Sequence, residues 1–226
     1  MHDRVNKAIV IIPIAFAVWF LDSYAFQYLT LDRDRFGIYW ARREWLYVHI
    51  VAGILALLLG PVQLWLGLNR RAMILHRILG GAYILGVFTS GGAAFYLARH
   101  TDFGWSFGMG LTIMAAAWIT STSLAMISIL FRLPEQHREW MIRSCVLTYG
   151  FVIFRMFQQA LQTAGLGTMS DQMTAASWFS WSVPLFITEC ILQGQKMFAL
   201  KRSLTGTTKL HSHDTATINI FDSAPL

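Results

Sequence analysis

An all-α integral membrane bundle of about six transmembrane helices is the fold the sequence predicts, and three observations predict it. Of 226 residues, 55% are hydrophobic and only 13% charged, whereas a soluble globular domain carries about 25% charged residues. Mean hydropathy is +0.48. The apolar residues fall into continuous runs of about 20, the length a helix needs to cross a bilayer. Barrel strands would instead alternate over about ten residues, and across lipid only helices and closed barrels satisfy their own backbone groups. Disorder is excluded by a chain that is apolar and aromatic almost throughout. The net charge of +6 does not indicate a nucleic-acid binder, because Lys and Arg are spread through the connections between apolar runs.

The first run, residues 8–29, superficially resembles a signal peptide ending at Ser23-Tyr24-Ala25. Asp22 interrupts that cleavage region, and continuation to Leu29 makes the run long enough to span, so it is read as an uncleaved helix. Residues 30–47 mix Asp32, Arg33, Asp34, Arg35, Arg42, Arg43 and Glu44 with aromatics. They read as an interfacial segment anchored at headgroup depth by Tyr39, Trp40, Trp45 and Tyr47. Spans two to six follow at residues 48–68, 78–98, 107–130, 140–163 and 175–200, giving a transmembrane domain over residues 1–202. Residues 203–226 are polar and read as a disordered cytoplasmic tail, with His211 and His213 solvated. Cys145 and Cys190 both lie in apolar runs and carry neither a disulfide framework nor a zinc spacing. Arg43-Glu44-Trp45-Leu46 and Arg138-Glu139-Trp140-Met141, at the starts of spans two and five, would fit an inverted repeat.

Charge sets the orientation. One side collects Arg4, Lys7, Arg70, Arg71, Arg77, Arg132, Arg138, Arg143, Lys196, Lys201, Arg202 and Lys209, against Arg33, Arg35, Arg42, Arg43 and Arg99 on the other. The positive-inside rule therefore places both termini in the cytoplasm, with Arg155 inside a span.

Ionisable groups within the apolar core are costly and mark the first place to seek function. Steps of four and three connect His49, Gly53, Ala56, Gly60, Gln63 and Gly67 on one face of span two. The same steps connect His76, Gly80, Tyr83, Val87, Ser90 and Ala94 in span three, and His137, Met141, Ser144, Thr148, Phe151, Arg155, Gln158 and Gln162 in span five. Such faces belong toward the middle of a bundle. With a rise of about 1.5 Å per residue, Asp22 and Arg155 lie roughly 21 to 24 Å above the inner boundary. An outer cluster of Asp22, His49 and Arg155 is expected there, with Asp22 neutralising the arginine. On the inner side His76-Arg77 and His137-Arg138 open spans three and five, with Gln63, Glu189 and Arg143 in the same half. Two neutral imidazoles at one depth can supply both axial ligands of a haem b iron, arginines can meet its propionates, and Gly80 would leave room for a porphyrin edge. Interfacial or helix-capping histidines, a metal without porphyrin, and a quinone or lipid headgroup site are the open alternatives.

At these residues the chain resembles a bacterial multi-pass membrane family catalogued as a domain of unknown function, DUF2306. The resemblance rests on HIVAGILALLLGPVQL from His49, HRILGGAY from His76, and HREWMIRS from His137 followed by Arg155. It implies a bacterial inner-membrane location and no established activity. A weaker likeness is to the transmembrane cytochrome b reductases with two haems. His76 and His137 match the second histidine pair of those proteins, while span four has no histidine to complete the first.

The leading expectation is an inner-membrane protein with a haem at His76, His137, Arg77, Arg138 and Arg143, a polar core of Asp22, His49, Gln63, Tyr83, Arg155 and Glu189, and a quinone or other redox partner. The rivals are a non-catalytic assembly or accessory subunit, in which the polar stripes specify packing, and a small-molecule transporter. A zinc hydrolase fits least, since His49 is expected opposite His76 and His137.

Overall fold

The computed structural model describes residues 8–221, with side chains for residues 10–201. Arg4, Lys7 and the side chains of Lys209, His211 and His213 lie outside the described residues. Six helices are long and apolar enough to cross a membrane: Val10–Thr30, Arg33–Leu68, Met73–Arg99, Trp105–Leu130, Pro134–Thr163 and Met169–Lys201.

The first span is irregular. It begins as α1 (Ala8–Phe20), loosens into a π-helical turn over Leu21–Ala25 and tightens into a 3-10 turn over Phe26–Thr30. The connection expected as an interfacial segment is itself helical. Asp32 caps the single turn α2 (Arg33–Phe36) by accepting from the Asp34 N–H at 3.1 Å, and a 3-10 stretch, Gly37–Arg42, leads into α3 (Arg43–Leu68). Within it Phe36 is 1% exposed, edge-on to Tyr28 at 5.3 Å and to Trp40 at 6.0 Å between centroids. Apolar burial thus fastens this segment to the bundle.

Helices α4 (Met73–Arg99) and α5 (Trp105–Leu130) are unbroken. Span five is expected as one helix but divides at Tyr149 into α6 (Pro134–Thr148), opened by a proline at a first-turn position where its missing N–H costs nothing, and α7 (Gly150–Thr163). Helix α8 (Met169–Phe221) continues past Ser203, where the sequence predicts a disordered tail. The chain divides into two compact units, Met1–Leu185 and Phe186–Leu226.

In the first unit α3 to α6 close a four-helix ring through the α3–α4, α4–α5, α5–α6 and α3–α6 interfaces, of which α3–α4 is the most extensive, and α1 lies on α3. The ring is filled by Ala56, Tyr83, Val87, Trp118, Ala125, Met141 and Leu147. Ala17, Phe20, Leu21 and Ala25 fasten the first span to Leu57 and Val152. Large apolar side chains such as Ile12, Ile74, Leu85 and Leu130 stand on the outside, as they must where the surrounding solvent is lipid.

Candidate functional site

A cavity of about 180 Å³ opens between α3, α4, α5, α7 and the irregular first span. Its walls are mainly apolar, among them Leu21, Ile54, Leu57, Leu111, Met114 and Phe154, and its polar groups include His49, Ser90, Tyr24, Tyr28, Tyr39 and Arg155. Concave apolar walls with a few convergent polar groups are the usual form of a small-molecule site.

His49 is placed by a reciprocal clasp between α3 and α4. Its Nδ1–H donates to the Ser90 carbonyl at 3.0 Å, and the Ser90 hydroxyl donates to the His49 carbonyl at 2.9 Å. A carbonyl can only accept, so in this bond Nδ1 carries the proton and Nε2 is an acceptor; the Ser90 hydroxyl also lies 3.0 Å from Nδ1. Arg155, half-buried on α7, reaches the cavity without an acidic partner. Its guanidinium carbon lies 5.7 Å from the Phe154 ring centroid, and among the described residues it makes no hydrogen bond or ion pair. The Asp22–Arg155 pair expected from the sequence is not formed. Asp22 is exposed on the π turn and does not line the cavity.

Near Arg155 the site is bounded by Tyr39, which lies within electrostatic reach of Arg155, Tyr28, Arg42 and Asp102. Arg42 grips Asp102 through two bonds, 3.0 Å from Nη1 and 3.4 Å from Nη2, tying the 3-10 stretch to the α4–α5 turn. The hydrogen bond from Arg42 holds the Asp102 carboxyl below the usual carboxylate range.

Trp118, Leu147 and Thr148 line the cavity from α5 and α6, and two of them belong to a buried hydroxyl network. The Trp118 indole N–H donates to Thr148 Oγ1 at 2.9 Å, Tyr83 bonds Ser144 at 2.6 Å and Thr148 at 2.8 Å, and Ser144 meets Thr122 at 2.7 Å. Tyr83 is fully buried, so these bonds satisfy groups whose exposure to hydrocarbon would be costly. Tyr83, Ser144 and Thr148 lie on the polar stripes of the sequence, whereas Trp118 and Thr122 do not. Their spacing of four, continued by Ala125 and Ser128, is the signal in the sequence, and none of these four residues is ionisable.

The second expected site gathers in part. His76 and His137 come together with ring centroids 6.5 Å apart and planes 87° apart. Each is anchored through Nδ1, His76 to the Gln63 carbonyl at 3.2 Å and His137 to the Ala125 carbonyl at 2.8 Å, which leaves both Nε2 atoms as acceptors. Metal-ligating histidines are anchored in this way, and one ion bonded to both rings at about 2 Å would separate the centroids by roughly 6 Å.

The surroundings fit a porphyrin less well. A Cβ added at Gly80 would stand 2.5 Å from Gln63 Nε2, so the expected notch is filled by the Gln63 amide. Gly67 is covered by the His76 ring itself, at 2.9 Å from such an atom. The arginines are engaged: Arg138 with Glu135 at 2.9 Å, and Arg143 with Glu139 at 3.7 Å and stacked 4.6 Å over Trp140. Arg77 is exposed. Among the described residues no group of three or more His, Cys, Asp or Glu could hold a metal ion. Gln63 is buried with its Oε1 unpartnered. Glu189 lies in the second unit, where it accepts from Gln193 at 2.5 Å.

Residues 46–192 match the family described as "Predicted membrane protein (DUF2306)". The chain belongs to the DUF2306 family. The DUF2306 match takes in His49, His76, His137 and Arg155, and it stops short of Asp22, Tyr39 and Arg42. No curated protein and no solved structure matches the chain. The chain is a multi-pass membrane protein of a family without an assigned function.

Proposed function

We propose that this chain is a membrane-embedded binding protein for a small molecule with an apolar body, held in the cavity beside His49 and Arg155. One observation carries the reading: inside a close-packed bundle, space of about 180 Å³ is left open with a guanidinium on its wall that has no ion-pair partner among the described residues. An apolar cavity of about 150 Å³ is enough to hold benzene. The charge distribution supports placing the His76 end of the bundle toward the cytoplasm of a bacterial inner membrane.

Toluene tests the cavity without drawing on its polar groups. In lipid nanodiscs it should raise the unfolding temperature saturably, since a ligand at one hundred times its Kd stabilises the folded state by about 2.7 kcal/mol. A fall in Tm at every concentration would count against the reading.

A second reading follows from the histidine pair: a haem b iron between His76 and His137, with one-electron exchange to a quinone or similar partner. The anchored Nδ1 atoms and the ring separation favour it, and Gln63 in the Gly80 notch opposes it. Bound haem would supply the redox chemistry, and the chain would supply the two Nε2 atoms. This reading predicts a dithionite-reduced b-type spectrum from protein made in haem-replete cells, lost in His76→Ala and in His137→Ala at equal yield. Colourless protein would exclude it.

A further inference from the structure

Resting on the cavity reading, we infer that the molecule held there is a small amphiphilic monoanion, a carboxylate on a ring or short chain, with its charge met by Arg155. A guanidinium within a membrane span is costly unless balanced, and neither Asp102 nor Asp22 balances this one. Asp102 is gripped by Arg42 in two bonds, and Asp22 is exposed without reaching Arg155. The counter-charge is therefore not supplied by these segments. A carboxylate entering the cavity would supply it through charge-assisted bonds, which guanidinium makes with two parallel N–H donors.

The remaining features set the number of charges and the size. Arg155 is the cation that lines the cavity, so one negative charge balances it, whereas a phosphate dianion would call for a second cation. The nearby Arg42 is already neutralised by Asp102. The phenols of Tyr28 and Tyr39 line the same space and can donate to a second carboxylate oxygen. The rest of the wall is apolar, and about 180 Å³ takes a ring or a short chain rather than a whole lipid acyl chain.

Octanoate and 1-octanol carry the same chain and differ in the charged head. The experiment measures both by equilibrium dialysis against the full-length protein in nanodiscs, with empty nanodiscs subtracted. Octanoate should bind saturably, about tenfold or more tighter than 1-octanol. Arg155→Gln should reduce octanoate to the level of the alcohol, and Arg155→Lys should keep most of the preference. If both compounds saturate equally in the wild type, the cavity reading stands and the anion inference fails. If neither saturates, both fail. A preference undiminished in Arg155→Gln also overturns the inference. Should that variant not fold, the wild-type acid-to-alcohol ratio decides.

Discussion

Ala115→Phe will abolish ligand binding and leave a folded protein. Ala115 is 3% exposed and lines the cavity from α5. A phenyl ring is the size of molecule that an apolar cavity of about 150 Å³ accepts, so here it would occupy existing space rather than displace packed neighbours. The variant should elute as the wild type does, with an unliganded Tm equal or higher. Toluene and octanoate should each bind roughly 30-fold or more weakly, because burying an apolar body of that size contributes about 2 kcal/mol. Wild-type affinity in a folded Ala115→Phe protein would show that the ligand sits elsewhere.

Gly86→Val should do the opposite, removing the folded bundle rather than the site. Helices α3 and α4 touch along their backbones at this point: a Cβ on Gly86 would lie 2.9 Å from the Ala52 carbonyl oxygen and 3.3 Å from the Ala56 nitrogen. A backbone atom cannot turn aside as a side chain can, so the helices must separate. Overpacking of this kind costs about 3 kcal/mol, and a β-branched residue adds to it. Separation here would also open the His49–Ser90 clasp one turn further along. The expected result is loss of monodisperse protein, or a Tm lowered by many degrees. Gly81, with nothing within 4 Å of its would-be Cβ, should accept valine with little change in either measure.

Much of this architecture is legible in the residues. Continuous apolar runs locate the six spans because a backbone in lipid has almost no alternative to helix. Steps of three and four turn His49, Tyr83, Ser144, Thr148 and Arg155 inward, and each of them is found at the cavity or in the hydroxyl network beside it. Asp22 is misplaced for a definite reason. The rise and period used to set it beside Arg155 assume regular helix, and the π turn at Leu21–Ala25 changes both at that residue. Residues 30–47 carry correct anchor residues but no period, so nothing local tells that Phe36 is buried or that Tyr39 lines a cavity. The histidine pair shows another limit. Gly80 does leave room, as its lack of a side chain suggests, but Gln63 on the neighbouring helix takes it, and only the packing of α3 on α4 reveals that. The cavity itself is a property of how several helices fail to fill a volume, which no single stripe encodes.

Part of the interior is built as packing alone requires. Tyr83, Ser144, Thr148, Trp118 and Thr122 bond one another and line up three helices, which is what packing requires. Arg155 is different in kind, because among the described residues it makes no hydrogen bond or ion pair.

Native mass spectrometry of the protein released from the membrane in which it was made tests the cavity reading most directly, with wild type and Ala115→Phe measured side by side. The account predicts a single small-molecule adduct on the wild type, absent from the variant, and an acid when extracted and identified. The same adduct on both proteins would contradict it.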